Sequence, residues 1–150
     1  MESSAESVER GHRLLAQLSN AIVQVQKEYW GKGPDRAKSY LLDDFLLVVL
    51  RGGLTKAEET MLDVGEGDRV RDFRQTWQNR AAARYIGLIE ELTGRKVVTY
   101  QSQILFGPTI LLEIFFFEGS AAGDGSTIAT AVAQLDVRSA DAIRDDASAA

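Results

Sequence analysis

The chain runs through one grammar twice: an amphipathic helix that stops at a glycine, then two apolar strands joined by a tight turn, first around Gly31 and again around Gly94. The first unit reads Ile22-Val23-Gln24-Val25 through Glu28-Tyr29-Trp30-Gly31, then Ala37 to Leu42, Asp43-Asp44, and Phe45 to Leu50. The second reads Tyr85-Ile86-Gly87-Leu88 through Glu91-Leu92-Thr93-Gly94, then Lys96 to Leu105, Phe106-Gly107-Pro108-Thr109, and Ile110 to Glu118. Apart from Glu-x-x-Gly followed by a basic residue, the match lies in pattern and spacing, and it predicts an internal repeat. Two such units imply an α+β fold, with a four-stranded, mainly antiparallel sheet and helices packed on one face.

Leu15, Leu18, Ile22, Val25 and Tyr29 recur three and four apart, which places one apolar stripe on a long first helix spanning 7–30. Gly31-Lys32-Gly33-Pro34 stops it, because glycine accepts the left-handed conformation and proline cannot continue a helix. Asp43-Asp44 reads as a hairpin turn. The strand after it, Phe45 to Leu50, is apolar throughout and asks for cover on both faces, helices on one and a partner subunit on the other. A homodimer is expected on that ground, through the sheet's second face or through a seam along the first helix. Thr55 and Glu58 have the form of a capping box opening a short helix to about Asp63. Asp68 is placed to cap a longer helix whose apolar positions are Val70, Phe73, Trp77, Ala81, Tyr85, Leu88 and Leu92.

A chain of 150 residues suits one domain, here 1–118. The remainder, 119–150, is rich in Ala, Gly, Ser and Asp and carries a net charge of −3. Ile128, Val132, Leu135 and Ile143 suit a weak amphipathic helix, and the small polar residues between them suit a mobile extension. No apolar run approaches the roughly 20 residues of a membrane helix, and the amino terminus does not read as a secretory signal. The expected location is the cytoplasm, or the inner face of the membrane as a peripheral protein. With no cysteine and a single histidine, His12, the chain has no disulfides, thiolate sites or multi-imidazole metal sites, and no cofactor is expected. A net charge of −5 argues against nucleic acid as a partner.

Lys32, Arg36, Arg95 and Lys96 follow the two helix-ending glycines, and pseudo-symmetry would bring them to one sheet edge as a site for phosphate, bicarbonate or a nucleotide. Helix carboxyl ends repel anions and favour lysine and arginine, so charge complementing the helix ends outweighs that reading. Asp43 and Asp44 have no third ligand nearby and read as a turn. Glu113, alone in an apolar strand, would do proton work if buried, but facing solvent or pairing with an arginine is the commoner fate. Ser102 and Thr99 have no histidine in the folded region to activate them. Trp77 and Tyr85 read as core, and Trp30 as an exposed aromatic contact beside the glycine turn. Leu105 and Phe106 lie in a greasy second turn, forming an apolar contact if it projects and core if it folds back. An enzyme is not expected.

At Gly31-Lys32-Gly33-Pro34, at Gly52-Gly53-Leu54-Thr55 with Glu58, and at Leu92-Thr93-Gly94-Arg95-Lys96-Val97, the chain resembles the bacterial MpsC family, over roughly Leu18 to Glu118. That family takes its name from a sodium-translocating, membrane-potential-generating system. The resemblance implies a non-enzymatic accessory or regulatory protein of a membrane ion or inorganic-carbon transport system, with transporter subunits as partners. The alternative is a small-anion or nucleotide-binding sensor.

Overall fold

Ser3 sets the start of the fold. Its hydroxyl accepts the Glu6 N–H at 3.2 Å while the Glu6 carboxylate accepts the Ser3 N–H at 3.0 Å, a reciprocal cap worth on the order of 1 kcal/mol. The first helix, α1 (Ser4–Trp30), therefore begins ahead of the expected residue 7, a start that the apolar stripe alone does not mark. It ends as expected at Gly31, whose φ of 70° lets its N–H close onto the Lys27 carbonyl. The computed structural model describes residues 3–119, so the expectations for the acidic tail lie outside the described residues.

Beyond Gly31 come β1 (Arg36–Leu41), β2 (Phe45–Arg51), α2 (Lys56–Asp63), α3 (Gly67–Thr93), β3 (Val97–Leu105) and β4 (Ile110–Phe117). Thr55 and Glu58 cap α2 reciprocally, as their spacing predicts. Asp68 does not cap α3. That helix starts two residues earlier, at Gly67, with no side-chain cap, and Asp68 instead pairs with Arg71 inside the first turn at 2.9 Å.

The four strands pair in the order β1-β2-β4-β3, every neighbour antiparallel. The two helix-plus-hairpin units thus sit on either side of the central β2–β4 seam, where Val48 faces Glu113. All three helices pack on one face. Leu18, Ile22 and Val25 of α1 and Tyr85 and Ile89 of α3 bury against Leu46, Val48, Leu50, Leu111, Phe115 and Phe117, with Met61 and Leu62 of α2 at the margin. Side chains alternate along a strand, so Phe45, Leu47, Val49, Leu112, Ile114 and Phe116 point to the other face. No described helix crosses that face. Among the described residues no helix is long and apolar enough to cross a membrane.

Candidate functional site

Two features stand out: a buried polar seam under α3 and the sheet's second face. The seam begins with Glu113, which occupies the central strand β4 and is 0 % exposed. It neither faces solvent nor pairs with an arginine. Its Oε1 accepts hydrogen bonds from Gln78 Nε2 at 3.0 Å and Ser102 Oγ at 3.1 Å, and its Oε2 accepts a short one from the Tyr100 hydroxyl. Tyr100 can also donate to Gln78 Oε1 at 2.9 Å, and Gln26 donates to Tyr85 beside it at 2.8 Å. Burial pushes the Glu113 carboxyl up, the three donors and the charge of Arg74 pull it partway back, and it settles at about 7. Burial beside that carboxyl also drives the Tyr85 and Tyr100 phenols up, so both keep their protons. A cavity of about 10 Å³, lined by Arg74, Gln78 and Ser102 among others, has room for one water next to Glu113's partners.

A second buried pair anchors the junction of the helices. Arg74 reaches Glu58 with both Nε and Nη2 at 2.6 Å, and Nη2 also donates to the Gly53 carbonyl at 3.2 Å. Its guanidinium lies 4.4 Å from the Trp30 ring centre. Burial alone would raise the Glu58 pKa, but the hydrogen bonds from Arg74 and Thr55 hold it below the ordinary carboxylate range. The glycine motifs meet here. Gly53 has φ of 91°, and a Cβ on it would stand 3.1 Å from the Pro34 Cα, so Gly52-Gly53 and Gly33-Pro34 pack backbone to backbone. Lys32 donates to the Leu54 carbonyl at 3.2 Å across the same junction.

The four basic residues expected to converge do not. An antiparallel β2–β4 seam relates the two units by rotation about an axis through the sheet, so equivalent positions land at diagonally opposite corners and not along one edge. Arg36 lies opposite Arg51 at one end, while Arg95 donates to the Asp43 carbonyl at 2.7 Å at the other, with Lys96 next to it. Trp30 is not an exposed contact. It is half-buried between Arg74, Phe73 and Trp77, with ring centres 5.5 and 5.0 Å away, and its neighbours Tyr29 and Phe73 are the exposed aromatics, at 53 % and 60 %. The greasy turn folds back: Phe106 packs on the main core beneath Arg71, whose guanidinium is 5.1 Å from its ring centre, and Leu105 is half-buried.

Glu58, Arg74 and Gln78 escaped the reading of the sequence as buried polar groups. The fully buried row of α3 is Val70, Arg74, Gln78, Ala81, Tyr85 and Ile89; of the expected apolar positions Val70, Ala81 and Tyr85 belong to it, Trp77, Leu88 and Leu92 pack against the core from its margin, and Phe73 alone is exposed. The row's spacing of four, four, three, four and four was there to be seen, had polar residues been admitted to a core face.

The second face is apolar along its centre and basic at one end. Register places Leu47 beside Ile114 and Val49 beside Leu112. On the flanks stand Tyr40 and Lys38 of β1 and Gln101 and Gln103 of β3. Arg36, Lys38 and Arg51 line a recess at one end of it, with Tyr40 and Val49. Apolar centre and polar rim are the anatomy of a protein-binding surface. Among the described residues no group of three or more acidic, histidine or cysteine side chains is placed to hold a metal.

Fold and surface together define a small α+β domain with one face given to helices and the other presented as a sheet. The chain belongs to the MpsC family, described as "Na+-translocating membrane potential-generating system (MpsC)", whose match covers residues 11–119. Two relatives come from Bacillus subtilis (strain 168). "Uncharacterized protein YbcI" is 30 % identical over 107 residues, covering 69 % of this chain and 80 % of that protein. "Uncharacterized protein YrhF" is 26 % identical over 106 residues, covering 69 % and 87 %. No solved structure matches.

Proposed function

We propose that this chain is a non-enzymatic accessory or regulatory protein of a membrane-potential-generating ion or inorganic-carbon transport system, acting through protein contacts at the cytoplasmic side of the membrane. Family membership supports the association. The observation that carries the mode of action is the second sheet face, where Leu47, Val49 and Leu112 stay partly exposed beside the buried cluster of Phe45, Ile114 and Phe116, with no described helix over them. A surface of this kind gains by being covered, at roughly 25 cal/mol for each Å² of apolar area removed from water. Homodimerisation is part of the reading and falls to α1, whose residues 4–13 are all exposed, Val8 among them. That leaves the second face to the partner.

The test is affinity capture of the tagged full chain from gently solubilised native membranes, beside a Leu112→Glu variant that puts a charge in the centre of the face. Recovery of ion-transport subunits with the wild type and their loss from the variant is the expected result. Recovery of the protein alone in both overturns the reading.

A further inference from the structure

The Tyr100 hydroxyl has one proton and two acceptors. It lies within hydrogen-bond reach of Glu113 Oε2 and of Gln78 Oε1, the latter at 2.9 Å, and among the described residues no other donor reaches Gln78 Oε1. With Glu113 ionised, Tyr100, Ser102 and the Gln78 amide all donate to the carboxylate, and Gln78 Oε1 is left buried without a donor. With Glu113 protonated, its own O–H donates to the Tyr100 oxygen, Tyr100 turns its proton to Gln78 Oε1, and every group is satisfied. One proton therefore decides whether α3 is tied to β3 through this bond.

The elements around the carboxyl leave that proton in control. β2 sets Val48 opposite it, β3 contributes the Tyr100 phenol and neutral Ser102, and α1 sends Gln26 only as far as Tyr85. α3 contributes Tyr85 and Arg74, and the Arg74 charge is already engaged at 2.6 Å by Glu58 of α2. Among the described residues no cation hydrogen-bonds to Glu113, and a buried carboxyl without a paired cation favours its neutral form. Its titration is accordingly pushed up to about 7. The cavity of about 10 Å³ beside Gln78 and Ser102 is also lined by Gln75 and Gln103, both exposed, so one water there can pass the proton to solvent.

The bond from Tyr100 to Gln78 is coupled to the surface by a row of rings. The Tyr100 ring centre lies 6.0 Å from that of Tyr85, and Tyr85 lies 6.0 Å from Trp77. Trp77 in turn stands 5.3 Å from Tyr29 and 5.0 Å from Trp30, which meets Phe73 at 5.5 Å. Tyr29 and Phe73 are the exposed end of the row. Phe73, Trp77 and Tyr85 share α3 with Gln78, so any movement of that helix on the sheet moves them together.

We propose that Glu113, Tyr100 and Gln78 form a proton-operated switch: the protonated carboxyl locks α3 onto β3, and its ionisation releases that lock and shifts the aromatic row that surfaces at Tyr29 and Phe73. The switch acts on the helical side of the domain and does not depend on what the second sheet face contacts.

The row holds both tryptophans of the chain, Trp30 and Trp77, so their fluorescence reports it in the full-length protein. Emission is followed from about pH 5 to about pH 9, together with circular dichroism and the NMR signal of the Glu113 carboxyl carbon, for the wild type, Glu113→Gln and Tyr100→Phe. In the wild type a single shift of the emission maximum should coincide with the carboxyl titration at about 7, while the helical circular dichroism stays constant. Glu113→Gln holds the protonated arrangement and should keep the low-pH emission across the range. Tyr100→Phe should lose the emission shift while its carboxyl still titrates, because the relay to Gln78 is gone. Flat wild-type emission, a shift that persists in Glu113→Gln, or a shift in Tyr100→Phe that still follows its carboxyl overturns the proposal. So does a wild-type shift matched by loss of helical signal, which would be unfolding and not a switch, or a carboxyl that titrates at the ordinary 4.5.

Discussion

Replacing Glu113 with glutamine should make the protein more stable, and only at high pH. The folded carboxyl titrates at about 7 against an ordinary value of 4.5, because it is fully buried in the central strand. Between those two values the folded state holds a proton that the unfolded chain has released, so stability falls as pH rises. The loss is absent below about 4.5 and complete above about 7, where it amounts to about 3 kcal/mol. Glutamine has the same shape and no titration. Its oxygen can keep the bonds from Gln78 and Ser102, and its amide can donate to Tyr100, whose hydroxyl then turns to Gln78 Oε1 at 2.9 Å. With a urea dependence of about 2 kcal/mol per molar, the Glu113→Gln midpoint should exceed the wild type by about 1.5 M at pH 8.5 and match it near pH 4.5. Urea denaturation followed by circular dichroism at the two pH values measures this directly. An equal difference at both pH values would show that the carboxyl carries no pH-dependent burial cost.

Other perturbations follow from the same geometry. Tyr100→Phe removes the strongest donor to Glu113 and lifts its folded pKa, so the loss of stability should still begin near pH 4.5 but continue to higher pH than in the wild type, read from the same denaturation series taken as a pH profile. Arg74→Met leaves the Glu58 carboxylate buried without its bidentate partner and should cost about 3–5 kcal/mol, seen as a large drop in melting temperature. Adding Glu58→Met to that variant should recover much of the loss, less the bond by which the Glu58 carboxylate accepts the Thr55 N–H. Gly53→Ala forces a side chain into φ of 91° and against the Pro34 backbone, and should destabilise by about 1–3 kcal/mol in thermal melts.

The helix ends and the hairpins were legible because glycine and turn residues act locally. Gly31 and Gly94 take the left-handed conformation whatever the rest of the chain does, and Thr55 with Glu58 makes its cap within four residues. The start at Ser4 is also local, but its capping box lies ahead of the apolar stripe that marks the helix. What could not be read was anything set by the pairing of distant strands. The corner placement of Arg36 and Arg95 follows from the β2–β4 seam, which no local pattern encodes. Glu113 is buried because Gln78 and Tyr100, 35 and 13 positions away, supply its hydrogen bonds. Arg74 displaced Phe73 from the buried row because Glu58 waits across the interface, and an apolar count cannot weigh such a partner.

The claim that most needs a direct answer is that this domain acts through its second sheet face. Transport-system subunits recovered with the tagged chain from native membranes should be quantified for the wild type and for Leu112→Glu, after circular dichroism has shown that both fold. The subunits should accompany the wild type and be lost from the variant. Equal recovery with a folded variant would place the contact elsewhere on the molecule and contradict that claim.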